Sequence, residues 1–312
     1  MKAAFVRALV EAAETNDRIV LLTGDLGFHA IEPFVDRFPE RFFNMGVAEQ
    51  NMLGVAAGLA DSGYIPYCYS IAPFASLRPY EFFRNGAVVH NLPVRVVAMG
   101  GGFEYGTLGI SHYALEDIAV MRAQPRVTVV VPADHAQAYA AVAATIDHPG
   151  PMYFRLGKDD VSLLSELDGR FRLGSSDRIG EGNAVTFVAT GPVAAEAISA
   201  CDLLRSQGLE CSVVVVSTLN PSPTQDLVTA VRDARLIVSV EEHYPAGGLG
   251  SLVCEVVAES ALSIPVIRCA VSTMPADLSG SQRSMRGLYG LNADQLAARA
   301  LSAFDRAPAV PR

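Results

Sequence analysis

The chain has little charge and no concentration of positive charge. Of its 312 residues 18% are charged, and the formal net charge is -9. No basic patch stands out, which argues against nucleic acid as a partner. Cysteine is sparse as well. Cys68, Cys201, Cys211, Cys254 and Cys269 are odd in number, scattered and without CxxC spacing. That excludes a disulfide framework or a zinc site and reads as buried thiols in a reducing compartment. There is no apolar run of about 18 residues or more, so no membrane span is expected. The N-terminal stretch MKAAFVRALVEAAETND is amphipathic and charged. It lacks the apolar core of a signal peptide, so a cytoplasmic location is expected. Two phosphate-binding signatures are missing too. With no GxGxxG opening a helix and no GxxxxGKS or GxxxxGKT, neither a dinucleotide fold nor a P-loop site is expected.

What is present is a globular composition, 50% apolar with 26 glycines and no tryptophan, in a chain longer than one core usually serves. Apolar runs alternate with helical patterns. RIVLLTGDL (18–26), IPYCYS (65–70), PVRVVAMG (93–100) and VTVVVPA (127–133) read as buried strands. Between them lie helical stretches: one after Glu49 with Met52, Val55, Ala56 and Leu59 on a common face, one over 77–91 and one over 112–124. Residues 157–183 turn polar and rich in Gly and Ser. After them AVTFVATG, CSVVVV, RLIVSVEEH and IPVIRCAV read as strands, with helices over 192–207, over 223–233 and opened by GGLGS. This alternation implies an α/β fold of two domains, each a mostly parallel sheet flanked by helices. The boundaries read as 1–160, a linker over 161–182, and 183–312, with the tail RAPAVPR frayed.

Three places carry candidate chemistry. Glu49, in GVAEQ, precedes an apolar helix. It suits a first-turn acid favoured by the helix dipole, but a carboxylate in apolar surroundings also calls for a hydrogen-bonding partner, such as a protonated ring nitrogen of a ligand. The loop GGGFEYGTLGISH (100–112) opens with three glycines, which let a backbone approach a ligand closely or simply turn. His112 closes that loop as a structural hydrogen bonder or a proton-transfer group facing a cleft. Phe74 lies just beyond a strand end, where α/β sheets gather ligands, and would serve as core or as a stacking face.

Together, RFFNMGVAEQNMLGVAAGLADSGYIPYCYSIAPFASLRPYEFFRN, GGGFEYGTLGISHYALEDIAVMRAQPRVTVVVPAD and VEEHYPAGGLGS resemble the C-terminal half of the transketolase family, over nearly the whole chain. The resemblance implies a pyrimidine-binding domain followed by a transketolase C-terminal domain. It implies thiamine diphosphate as cofactor, with Glu49 on N1′ of the aminopyrimidine, so that the ring itself becomes the general base. Val47 matches the apolar wedge beneath the cofactor, and Phe74 the aromatic that stacks on the pyrimidine. His112 matches the histidine that faces the substrate oxygen. Arg155 falls where the family has a phosphate-binding arginine, though a boundary salt bridge also accounts for it.

Three departures shape the expectation. The family's DGPTH is here LGISH, so Leu108 replaces a sugar-reading aspartate. A substrate-binding histidine falls near Gly100 or Gly101. A standard pentose phosphate is therefore not expected. The family's GDG…N motif for diphosphate and Mg²⁺ is replaced by GDL at 24–26. GGLGS (247–251) is not a substitute for it. The resemblance thus implies a second subunit that carries the diphosphate domain and the Mg²⁺, in an α2β2 assembly. It also implies two-carbon ketol transfer from a ketose-like donor to an aldehyde-like acceptor. Two alternatives remain open: the β-subunit of a 2-oxoacid dehydrogenase, and a non-catalytic scaffold.

Overall fold

The computed structural model describes residues 1–158 and 163–306. The first half begins with α1 (Lys2–Thr15), β1 (Ile19–Thr23), α2 (Glu32–Arg37), β2 (Phe42–Asn44), α3 (Glu49–Asp61) and β3 (Ile65–Ile71). It continues through α4 (Ala72–Ser76), α5 (Tyr80–Phe82), β4 (Arg95–Met99), α6 (Asp117–Arg122), β5 (Thr128–Val130), α7 (His135–Thr145) and β6 (Met152–Leu156). The second half runs β7 (Ser176–Ile179), β8 (Val185–Ala189), α8 (Ala194–Ser206), β9 (Cys211–Val216) and β10 (Thr218–Asn220). It closes with α9 (Thr224–Val231), β11 (Leu236–Val240), α10 (Leu249–Glu259), β12 (Val266–Cys269), α11 (Gln282–Leu288) and α12 (Ala293–Phe304).

Two sheets result, ordered β10-β5-β6-β4-β3-β1-β2 and β12-β11-β8-β9-β7. All neighbours are parallel except the two edge pairs β10–β5 and β7–β9. The central strands are buried along their whole length, as in IVLLT, RVVAM, MYFRL, CSVVVV and LIVSV. Helices covering both faces leave no solvent side, which is why these strands read as continuous rather than alternating apolar runs.

The halves are tied together. β10 leaves the second half to pair with β5 of the first sheet, Thr218 opposite Val130. One apolar core runs from Val96 and Val129 to Val214, Val216, Leu252 and Val256. The stretch read as a linker, 161–182, is not wholly one: it contains β7, the antiparallel edge of the second sheet. The expected break after residue 160 and the end of the tail, 307–312, lie outside the described residues.

Other local expectations shift. The helix expected over 77–91 is interrupted. Residues 77–79 form a turn, because Pro79 disfavours the helical region for Arg78, and after α5 the chain widens into a π-turn, Phe83–Val88. The helix expected from residue 112 starts at Asp117. The intervening backbone is used elsewhere: Ala114 bridges Gly102, and the Leu115 carbonyl accepts from Tyr244 N at 2.7 Å. The buried face of α3 is Glu49, Met52, Leu53, Ala56 and Ala60, not the Val55 side, and Val55 is 38% exposed.

Candidate active site

Ligands of parallel α/β sheets gather beyond the carboxyl ends of the strands. Here the ends of β1 and β3 and the start of α3 converge on one carboxylate. Glu49 is the first residue of α3 and is 2% exposed. Its Oε1 accepts a hydrogen bond from Ser70 Oγ of β3 at 3.0 Å. Its Oε2 accepts from Arg78 Nη1 at 3.1 Å. Gly24, just past β1, has no side chain to spare: a Cβ there would lie 3.2 Å from Glu49 Oε1.

The Arg78 guanidinium lies 3.8 Å from the centre of the Phe74 ring. Phe74, in α4, meets His112 edge-on with centroids 5.0 Å apart. His112 closes a 3-10 turn, Ile110–His112, and its Nδ1 lies 2.9 Å from Ser111 Oγ. Partial burial, and then the positive charge of Arg78, lower its pKa, which favours the neutral imidazole. Glu49, Arg78, Phe74 and His112 are therefore one contiguous group. Val47 stands at its edge, two residues before Glu49 and 72% exposed. The Tyr105 ring also lies 6.1 Å from that of His112, with Lys158 Nζ 5.1 Å from the Tyr105 ring centre.

Arg155 is not brought to this group. It sits in β6, 4% exposed, with Nε 2.8 Å from Asp117 Oδ2. Its Nη2 donates to the carbonyls of Ala114 at 2.8 Å and Glu242 at 3.0 Å. Glu242 in turn accepts from Phe103 N, Gln282 and Arg286. Arg155 is thus a buried pin between the halves, forming the ion pair that the salt-bridge reading expected.

The glycine loop has the same explanation. A Cβ at Gly101 would meet Arg155 Nε at 2.6 Å, and one at Gly102, where φ is +64°, would meet Glu242 Cβ at 2.8 Å. These glycines admit the protein's own side chains. GGLGS is likewise occupied from within. The Leu249 and Gly250 amides, at the start of α10, donate to Glu241 at 2.7 and 2.8 Å. Burial lifts Glu241 to about 7, and the same amides hold it down in part.

Sequence reasoning missed Ser70, Arg78 and Asp117. Arg78 left no helical-spacing signal, because it lies in the turn after α4 rather than in the helix that carries Phe74. Among the described residues no cluster of three or more His, Cys, Asp or Glu side chains is arranged to hold a metal ion. Nor is any described helix long and apolar enough to cross a membrane.

The family model for the transketolase pyrimidine-binding domain matches residues 1–162, and that for the transketolase C-terminal domain matches 174–296. Similar proteins include an apulose-4-phosphate transketolase subunit of Actinobacillus succinogenes, 34% identical over 95% of this chain and 96% of its own. A 6-deoxy-6-sulfo-D-fructose transketolase subunit of Clostridium sp. is 33% identical over 97% and 94%. Among solved structures, a split-gene transketolase described as an inactive β4 tetramer superposes with a TM-score of 0.87 at 38% identity, covering 98% of both chains. The chain belongs to the transketolase family and carries its pyrimidine-binding and C-terminal domains. These relatives support a transketolase-like subunit and not the 2-oxoacid dehydrogenase alternative.

Proposed function

We propose that the chain is the pyrimidine-binding subunit of a split, thiamine-diphosphate-dependent transketolase. It would move a two-carbon ketol unit from a ketose-like donor to an aldehyde-like acceptor, in the cytoplasm. The observation that carries this reading is the buried Glu49 carboxylate facing a planar nitrogen group laid on Phe74. The Arg78 guanidinium, bonded to Glu49 and with its carbon 3.8 Å from the Phe74 ring centre, supports the reading that a planar N–H donor is accommodated there. An aminopyrimidine asks for the same two contacts.

Bound thiamine diphosphate supplies the carbon nucleophile that carries the transferred unit. The protein's part is to hold and orient. Glu49, nearly out of water, would accept one strong charge-assisted hydrogen bond from the protonated ring nitrogen N1′. Phe74 supplies the flat face, and Val47 the apolar support beneath. His112, kept neutral, is suited to exchanging a proton with a substrate oxygen. Lys158, beyond Tyr105, offers a cation on the side where Arg155 does not. The names of two relatives specify sugars with a phosphate or sulfo group, which supports an anionic sugar derivative as substrate here.

The described residues do not fit Mg²⁺, so that ion and the diphosphate are assigned to a partner chain. The solved relative described as an inactive assembly of β chains supports both self-association and the need for such a partner; an α2β2 tetramer is the proposed active form.

The test is ketol transfer by the chain assembled with its partner, wild type against Glu49→Gln. The variant should fold normally by circular dichroism and lose at least about a hundredfold in rate, the range of a lost general-base function. Wild-type turnover by the variant would overturn the assignment.

A further inference from the structure

We infer that Arg78 is an internal stand-in for the cofactor's pyrimidine: its guanidinium fills the subsite between Glu49 and Phe74 and must leave before the ring can enter. The inference rests on the functional reading above and adds a gate to it.

Both contacts of Arg78 are contacts the ring needs. Arg78 Nη1 holds Glu49 Oε2 at 3.1 Å. Its guanidinium carbon lies 3.8 Å from the centre of the Phe74 ring, a stacking distance that leaves no room for a second ring on that face. Among the described residues the guanidinium makes no other hydrogen bond or ion pair. The two partners differ in exposure. Glu49 is fixed at the head of α3 and is 2% exposed, whereas the Arg78 side chain is 44% exposed. It rises from the turn between α4 and α5, outside either helix.

There is a physical reason for such a device. A carboxylate this buried is costly without a partner. Without Arg78, the empty subsite would leave Glu49 one described side-chain hydrogen bond, from Ser70. Arg78 satisfies the carboxylate until another planar donor replaces it. The exchange of one charge-assisted bond for another keeps the site nearly neutral in energy. Entry is still penalised by the fraction of time the subsite is open, because apparent affinity scales with the population of the competent state. A ring bound by its pyrimidine alone would compete poorly. A cofactor whose diphosphate is also held would displace Arg78 readily.

The test uses the full chain and thiamine, which has the pyrimidine but no diphosphate, with binding followed by calorimetry. Arg78→Ala should bind thiamine about tenfold more tightly than wild type, the effect of removing a competing charge-assisted hydrogen bond. Arg78→Lys, which keeps the charge but cannot stack flat, should fall between. Adding Glu49→Gln to Arg78→Ala should erase the gain. In wild type the Arg78 Nε–H resonance should move as thiamine saturates. Equal or weaker binding by Arg78→Ala, or no binding by any chain, overturns the stand-in. The functional reading is judged separately, by Glu49→Gln in the assembled enzyme.

Discussion

Replacing Arg155 with methionine separates a structural pin from a substrate-binding arginine. Arg155 is 4% exposed and Asp117 is 1% exposed, and their closest approach is 2.8 Å. The same Asp117 oxygen accepts from Tyr153 OH at 2.6 Å. Methionine would fill much of the space but leave Asp117 with a single hydrogen bond and the carbonyls of Ala114 and Glu242 without their guanidinium donor. Removing one partner of a buried ion pair costs about 3–5 kcal/mol, because the other charge stays buried. At roughly 2–4 °C per kcal/mol for chains of this order, the melting temperature should fall by at least about 6 °C. The assay is thermal unfolding followed by both circular dichroism and tyrosine fluorescence, since coincident transitions are needed before one free energy is quoted. The double variant Arg155→Met with Asp117→Asn should recover a large part of the loss, because no unpaired charge remains. A single variant that unfolds like wild type yet binds an anionic donor poorly would refute this reasoning and return Arg155 to the substrate site.

His243 sets a pH dependence. Its Nδ1–H donates to the Tyr244 carbonyl at 2.6 Å and its Nε2 accepts from Ala119 N at 3.3 Å, so the fold requires the neutral ring, and burial lowers its pKa to about 4. The unfolded chain binds the proton first, so this contribution to stability is complete above about pH 6.5 and is lost as pH falls towards 4; His243→Gln should flatten that slope relative to wild type in denaturation curves, and an unchanged slope would contradict it. Gly102→Ala should destabilise by roughly 1–3 kcal/mol, since φ is +64° and the new Cβ would meet Glu242 at 2.8 Å; a melting temperature equal to wild type would show that the loop yields.

The parallel core was legible because burial on both faces selects unbroken apolar runs such as CSVVVV and RVVAM. The two antiparallel edge strands were not. β7 is SDRI and β10 is TLN; neither has an apolar signal, and each becomes a strand through pairing with a partner distant in sequence. The partners of Arg155 were hidden for a related reason. A position in MYFRL looks like a strand leading to a loop, but β6 is flanked by β4 and β5 in a sheet covered on both faces. An arginine there must find an acid inside the protein, and the acid it finds, Asp117, lies 38 residues away in sequence.

Glu49 could be picked out because an acid heading an apolar helix conflicts with packing, and such conflicts mark functional sites. What the sequence could not give is the completeness of the enclosure. Near the four-residue group in the chain stand apolar side chains open to solvent: Val47 at 72%, Leu108 at 55%, Leu77 at 40% and Ile110 at 40%. Catalysis by a charged group in a low-dielectric pocket needs water excluded on every side. In this chain the carboxylate is buried where β1, β3 and α3 converge, while apolar side chains close to the group in sequence are open to solvent. A buried charge beside exposed apolar side chains supports the proposal that a second surface, from the partner chain, closes the site.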